Sequence, residues 1–113
     1  MANTYRRFIQ TSLPSASLTD IITVTDGTTA IVKSVIVSND DAAVTASITM
    51  SVAPSGSGTL TIEPAKDLLP KASEDLLSSK GPLVLQSTDV LKVNPGGSPN
   101  VDVVASALLV DRN

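Results

Sequence analysis

The ten residues AVTASITMSV, Ala43 to Val52, constrain the fold more than any other part of the chain. Val44, Ala46, Ile48, Met50 and Val52 occupy alternate positions, with Ala43, Thr45, Ser47, Thr49 and Ser51 between them. Successive side chains of an extended backbone point to opposite sides, so the pattern builds a strand with one apolar and one hydroxyl-rich face. One face packs on a core and the other meets solvent or a partner, as is common in antiparallel sheets.

Turn-forming clusters recur along the rest of the chain: TDGTT (Thr25 to Thr29), SNDDAA (Ser38 to Ala43), APSGSG (Ala53 to Gly58), SKGP (Ser79 to Pro82) and NPGGSPN (Asn94 to Asn100). Each supplies Gly, Asn, Asp or Pro where the backbone must reverse. Short β-branched runs lie between them: LTDIITVT (Leu18 to Thr25), TLTIE (Thr59 to Glu63), PLVLQ (Pro82 to Gln86), DVLKVN (Asp89 to Asn94) and VDVVASALLV (Val101 to Val110). This spacing predicts an antiparallel sandwich or barrel rather than an α/β unit. Pro64 and Pro70 exclude a long helix from Ala65 to Ser78. Ser73, Glu74 and Asp75 suit the first turn of a short helix, but extended backbone is the preferred reading there. The 113 residues make one domain. The expected organisation is an N-terminal arm or first strand over residues 1–17, then an all-β sandwich over 18–113, jelly-roll or immunoglobulin-like.

A second stretch, IVKSVIVSND from Ile31 to Asp40, is apolar on both sides. Strict alternation sets Ile31, Val35 and Val37 on one face, with Lys33 among them, and Val32 and Ile36 on the other. The closing strand repeats this, with Val101, Val103, Ala105, Ala107 and Leu109 against Val104, Leu108 and Val110. A sandwich covers only one face of each sheet. If Ile31, Val35 and Val37 lie outside, a partner must hide them. Covering about 400 Å² at ~25 cal/mol per Å² contributes on the order of 10 kcal/mol before ordering costs. The opposite assignment leaves a smaller outer patch but turns Lys33 inward, where its stem would have to snorkel past apolar neighbours.

Composition narrows the function. A net charge of −3 and a near absence of aromatic rings argue against a nucleic-acid binder, which needs a basic stripe and stacking platforms. The chain has no histidine and no cysteine, which removes the usual general base, the dominant zinc ligands and every Ser–His or Cys–His arrangement. SGSG lacks a following lysine and precedes a strand, so it is no phosphate loop. No catalytic, cofactor-binding or metal-binding residues are expected, and no membrane span appears in the sequence. The N-terminus lacks the apolar run of a signal peptide, which predicts synthesis in the cytoplasm.

Contact residues are the remaining candidates. Tyr5 and Phe8, the only aromatic residues, flank the adjacent cations Arg6 and Arg7. Aromatic and arginine side chains are enriched at interface hot spots, so these four, with Ile31, Val35 and Val37, form the candidate interface. The competing reading makes Phe8 a plug for the domain's own sandwich. Asn39, Asp40 and Asp41 could contribute to a calcium site, but a hairpin loop bonding its own backbone is the preferred reading. NPGGSPN is either a connection or a receptor-facing tip.

TYRRF followed by TTAIVKSVIVSNDDAAVTASITMSVAP, and later EDLLSSKGPLVLQSTDVLKVNPGGSPNVDVVASALLV, resembles the small β-sandwich virion proteins of tailed bacteriophages. The resemblance spans Tyr5 to Val110 and departs most at Ala65 to Ser78. It implies a non-enzymatic structural protein, foremost a capsid decoration or cement protein bound to the major capsid protein. It also implies homo-oligomers and a location on the virion. A tail, neck or baseplate component and a module binding a host-surface ligand are the alternatives.

Overall fold

The computed structural model of the chain describes residues 2–14, 17–54, 58–78, 80–97 and 100–111. Those residues form nine strands and no helix: β1 (Ala2–Gln10), β2 (Thr19–Thr23), β3 (Thr28–Asn39), β4 (Ala46–Ala53), β5 (Leu60–Leu68), β6 (Ser73–Asp75), β7 (Leu83–Leu85), β8 (Val90–Gly96) and β9 (Val101–Asp111). One sheet has the order β1-β9-β3-β6, with β7 also paired to β3, and the other has the order β2-β8-β4-β5. Every pairing is antiparallel. The chain crosses between sheets at each of its first three connections, and its first and last strands lie side by side. This is jelly-roll topology, which settles the choice between the two expected sandwiches. Residues 2–10 are a strand of the sandwich, paired with β9 along their whole length.

The core fills the space between the sheets. Ala46, Ile48, Met50 and Val52 of β4 face Val101, Val103, Ala105 and Ala107 of β9 and Ala30, Val32, Val35 and Val37 of β3, all buried. The alternation of AVTASITMSV thus holds from Ala46 onward, while Val44 lies before the strand and is exposed. The stretch after Pro64 is extended. Strand β5 runs on through the proline to Leu68, which an edge strand tolerates because its outer N–H is not needed for pairing. Ala65, at φ 30°, marks the irregularity there. Leu76 and Leu77 follow β6 into the core.

In β3 the assumption of strict alternation fails. The β3–β9 register shifts between Val32 and Ser34, so Lys33 is the extra residue of a β-bulge. A bulge sets two residues against one and switches the parity of everything after it. Val32 before it and Val35 and Val37 after it therefore all enter the core, while Lys33 stays exposed. The expected face shared by Ile31, Val35 and Val37 does not form, and Val35 and Val37 are corrected from interface candidates to core residues. The outward apolar residues of this strand are Ile31 and Ile36.

Candidate functional site

The bulge and the β1–β9–β3 register together build the outer face of the five-stranded sheet. Directly opposed residues of antiparallel strands share a face. Tyr5, Leu108, Ile31 and Val84 lie in register across β1, β9, β3 and β7. Ile9, Val104 and Ile36 form a second row across β1, β9 and β3. Tyr5 is 77% exposed, Val84 56%, Ile9 51% and Ile36 43%, with Ile31, Val104 and Leu108 half-buried between them. Two apolar rows thus cross a face that no other part of the described fold covers.

Between the rows, Arg7 opposes Ser106, which opposes Ser34. Beside Ser106 lies an open hollow of about 270 Å³, lined by Tyr5, Arg6, Arg7, Lys33, Ser106 and Ala107. Three cations border it. Lys66, Lys71, Lys80 and Lys92 each reach a carboxylate at 2.9 to 3.4 Å. Arg6, Arg7 and Lys33 have no carboxylate partner among the described residues. Arg6 lies over the Phe8 ring, 5.0 Å from its centroid, a cation–π contact that holds the guanidinium near the strand.

The candidates from the N-terminus separate by parity. Tyr5 and Arg7 stand on the outer face, whereas Phe8 is half-buried and packs against the core, in line with the plug reading. Sequence reasoning did not single out Ile9, Lys33 or Val84 as contacts, and it offered Ile36 only through the opposite assignment of its strand, together with Val32, which is in the core. The apolar doubling of the closing strand had pointed to Val104 and Leu108, but only the pairing register joins them to β1 and β3.

The Asn39–Asp41 cluster serves the fold. Buried Asn39 donates through Nδ2 to the carbonyls of Val44 (2.8 Å) and Leu68 (3.0 Å), and its Oδ1 accepts from the Asp41 N–H (3.2 Å). Asp41 Oδ1 accepts from the N–H groups of Ala43 and Val44, and its Oδ2 from Asn100 Nδ2. The two backbone donors, first Ala43 and then Val44, hold the Asp41 carboxyl below its ordinary value. These bonds match the self-bonded loop expected of this segment. Asn94, Pro95 and Gly96 belong to β8 rather than to the expected NPGGSPN loop, and residues 98 and 99 lie outside the described residues.

No family model matches the sequence, and no curated protein matches it significantly. Among solved structures, a chain from the disulfide-linked pili of Bacillus endospore appendages is similar over 99% of this chain and 88% of its own, at 10% identity and a TM-score of 0.57. That likeness bears on the fold, and it supports the two-sheet sandwich. A chain of infectious bursal disease virus, Gt strain, is similar over 96% of this chain but 32% of its own, with 10% identity and a TM-score of 0.39.

Proposed function

We propose that this protein is a non-enzymatic structural subunit of a tailed-phage virion, foremost a decoration or cement protein on the head. The observation that carries this reading is the pair of exposed apolar rows on the five-stranded sheet. A free monomer rarely leaves such a patch open, and contiguous apolar surface of this kind marks an interaction site. Covering about 400 Å² of it contributes on the order of 10 kcal/mol at ~25 cal/mol per Å², before the losses of association. Attachment across subunit boundaries makes shell dissociation also require exposing this surface. Repeated copies, as homo-oligomers or on a repeating shell, make weak single contacts effective. The major capsid protein is the proposed partner, and neither nucleic acid nor membrane is required.

Immunogold electron microscopy on intact particles, with antibody to this protein, tests the reading. Label spread over the heads is expected. Label confined to the tail would move the protein to a tail, neck or baseplate role, and its absence from denatured virions would overturn the virion reading.

A further inference from the structure

Sheet edges are templates for unwanted pairing, and folded proteins blunt them with short strands, prolines, bulges or charges. Four of the edge segments here are blunted. Strand β5 carries Pro64, the positive φ of Ala65 and two register shifts, and ion pairs from Lys66 to Glu74 and from Lys80 to Glu63 strap it down. Strand β2 has five residues and a register shift after Asp20. Strands β6 and β7 have three residues each. Strand β1 differs from all of them. It runs for nine residues in unbroken register with β9, without proline or a positive-φ residue. On its far side, alternate N–H and C=O groups point away from β9.

Its one deterrent is charge, and charge is selective. Arg6 and Arg7 sit at the middle of β1, where a second copy of β1 pairing about a two-fold axis would set arginines against arginines. Like charges opposed across strands are destabilising, and opposite charges are stabilising. An acidic strand is therefore the one that fits. The outward residues of β1 run Tyr5, Arg7, Ile9, so a strand laid along its free edge would meet apolar, cationic and apolar neighbours at alternate positions.

We propose that the free edge of β1 accepts an extended segment of a partner protein reading apolar–x–acidic–x–apolar, its carboxylate set opposite Arg7 beside the Tyr5–Lys33 hollow. This rests on the assembly reading and sharpens it. The apolar rows supply area, the edge supplies backbone hydrogen bonds, and the unpaired cations choose the partner's charge. The rest of the chain has five cations against eleven carboxylates, so this positive spot stands out on an acidic protein.

The test is an amide-resolved NMR titration of the full chain with acetyl-Thr-Val-Thr-Glu-Thr-Val-Thr-amide and its central Gln and Lys variants. Saturable shifts are expected at Asn3 to Gln10, about threefold weaker with Gln and weaker still with Lys. The Arg7→Glu protein should prefer the Lys peptide. A Glu peptide N-methylated at alternate nitrogens should bind poorly, because edge pairing needs those donors. No saturable shift, equal binding of all three peptides, or shifts on β3 and β9 with the β1 amides unmoved would each overturn the proposal. Immunogold localisation is independent of all these outcomes, so edge pairing can fail while the assembly reading stands.

Discussion

The two sheets of this sandwich are alike on the inside and opposite on the outside. The outer face of the four-stranded sheet is built from Ser47, Thr49 and Asn94, with Ser51 beneath an ion pair between Lys92 and Asp20 at 2.9 Å. The outer face of the five-stranded sheet carries Tyr5, Ile9, Ile31, Ile36, Val84, Val104 and Leu108 around Arg7 and Lys33, which have no carboxylate partner among the described residues. Both inner faces are aliphatic and contribute to the same core. Core formation thus explains one face of each sheet. The polar outer face is hydroxyl- and amide-rich, with Ser51 buried beneath its ion pair, whereas the apolar one is the surface on which the proposed partner contact rests.

The strongest test of this contrast shifts the parity that the bulge sets. Inserting one serine between Ser34 and Val35 turns Val35 and Val37 away from the core, whereas deleting Lys33 leaves Val32, Val35 and Val37 alternating inward opposite Ala107, Ala105 and Val103. For the insertion, a loss of more than about 4 kcal/mol in urea unfolding is expected, enough to unfold a marginal domain. An unchanged midpoint would mean that β3 tolerates either register. Next come neighbours of opposite parity. Val37→Ser should cost about 3 kcal/mol, from lost packing and a buried hydroxyl, whereas Ile36→Ser should cost under about 1 kcal/mol. Equal costs would erase the distinction between the faces.

Paired Tyr5→Ser and Ile9→Ser substitutions sharpen the comparison by dividing stability from assembly. Particle binding should fall about tenfold or more while stability changes by about 1 kcal/mol or less. Thr61→Ala, on the four-stranded sheet, should move neither. Point changes serve better than deleting residues 1–9, because that deletion also strips Phe8 from the core and uncovers β9. The smallest effect concerns a loop that belongs to neither face. Asp41 titrates below 3.8 in the folded chain, so its bonds to Ala43 and Val44 stabilise the loop above that pH. They are lost as pH falls through the lower folded value. An Asp41 carboxyl titration by NMR should show a midpoint below 3.8, and Asp41→Asn should abolish the acid transition of the loop amides.

Much of this was legible in the sequence. The period of two in AVTASITMSV identified the core face of β4, and the doubled apolar sets of VDVVASALLV and IVKSVIVSND marked strands with something to cover on both sides. The faces of β3 were not legible. No residue type announces a bulge, and Lys33 reads as an ordinary outward lysine until the register with Ser106 is known. The site was hidden for a related reason. Ile9, Val104 and Ile36 lie far apart in sequence and meet only through long-range strand pairing. Tyr5 and Phe8 looked like one cluster, yet their odd spacing sends them to opposite sides of the sheet.

The most direct measurement uses the absence of cysteine from the chain. Single Ile36→Cys and Thr61→Cys variants place one thiol on each outer face, and maleimide labelling rates can be compared between free protein and assembled particles. If the five-stranded sheet is the buried surface, the Ile36→Cys thiol labels readily in solution and is protected tenfold or more in the particle. The Thr61→Cys thiol then reacts at the same rate in both. Equal rates for Ile36→Cys, or protection confined to Thr61→Cys, would show that assembly uses another surface.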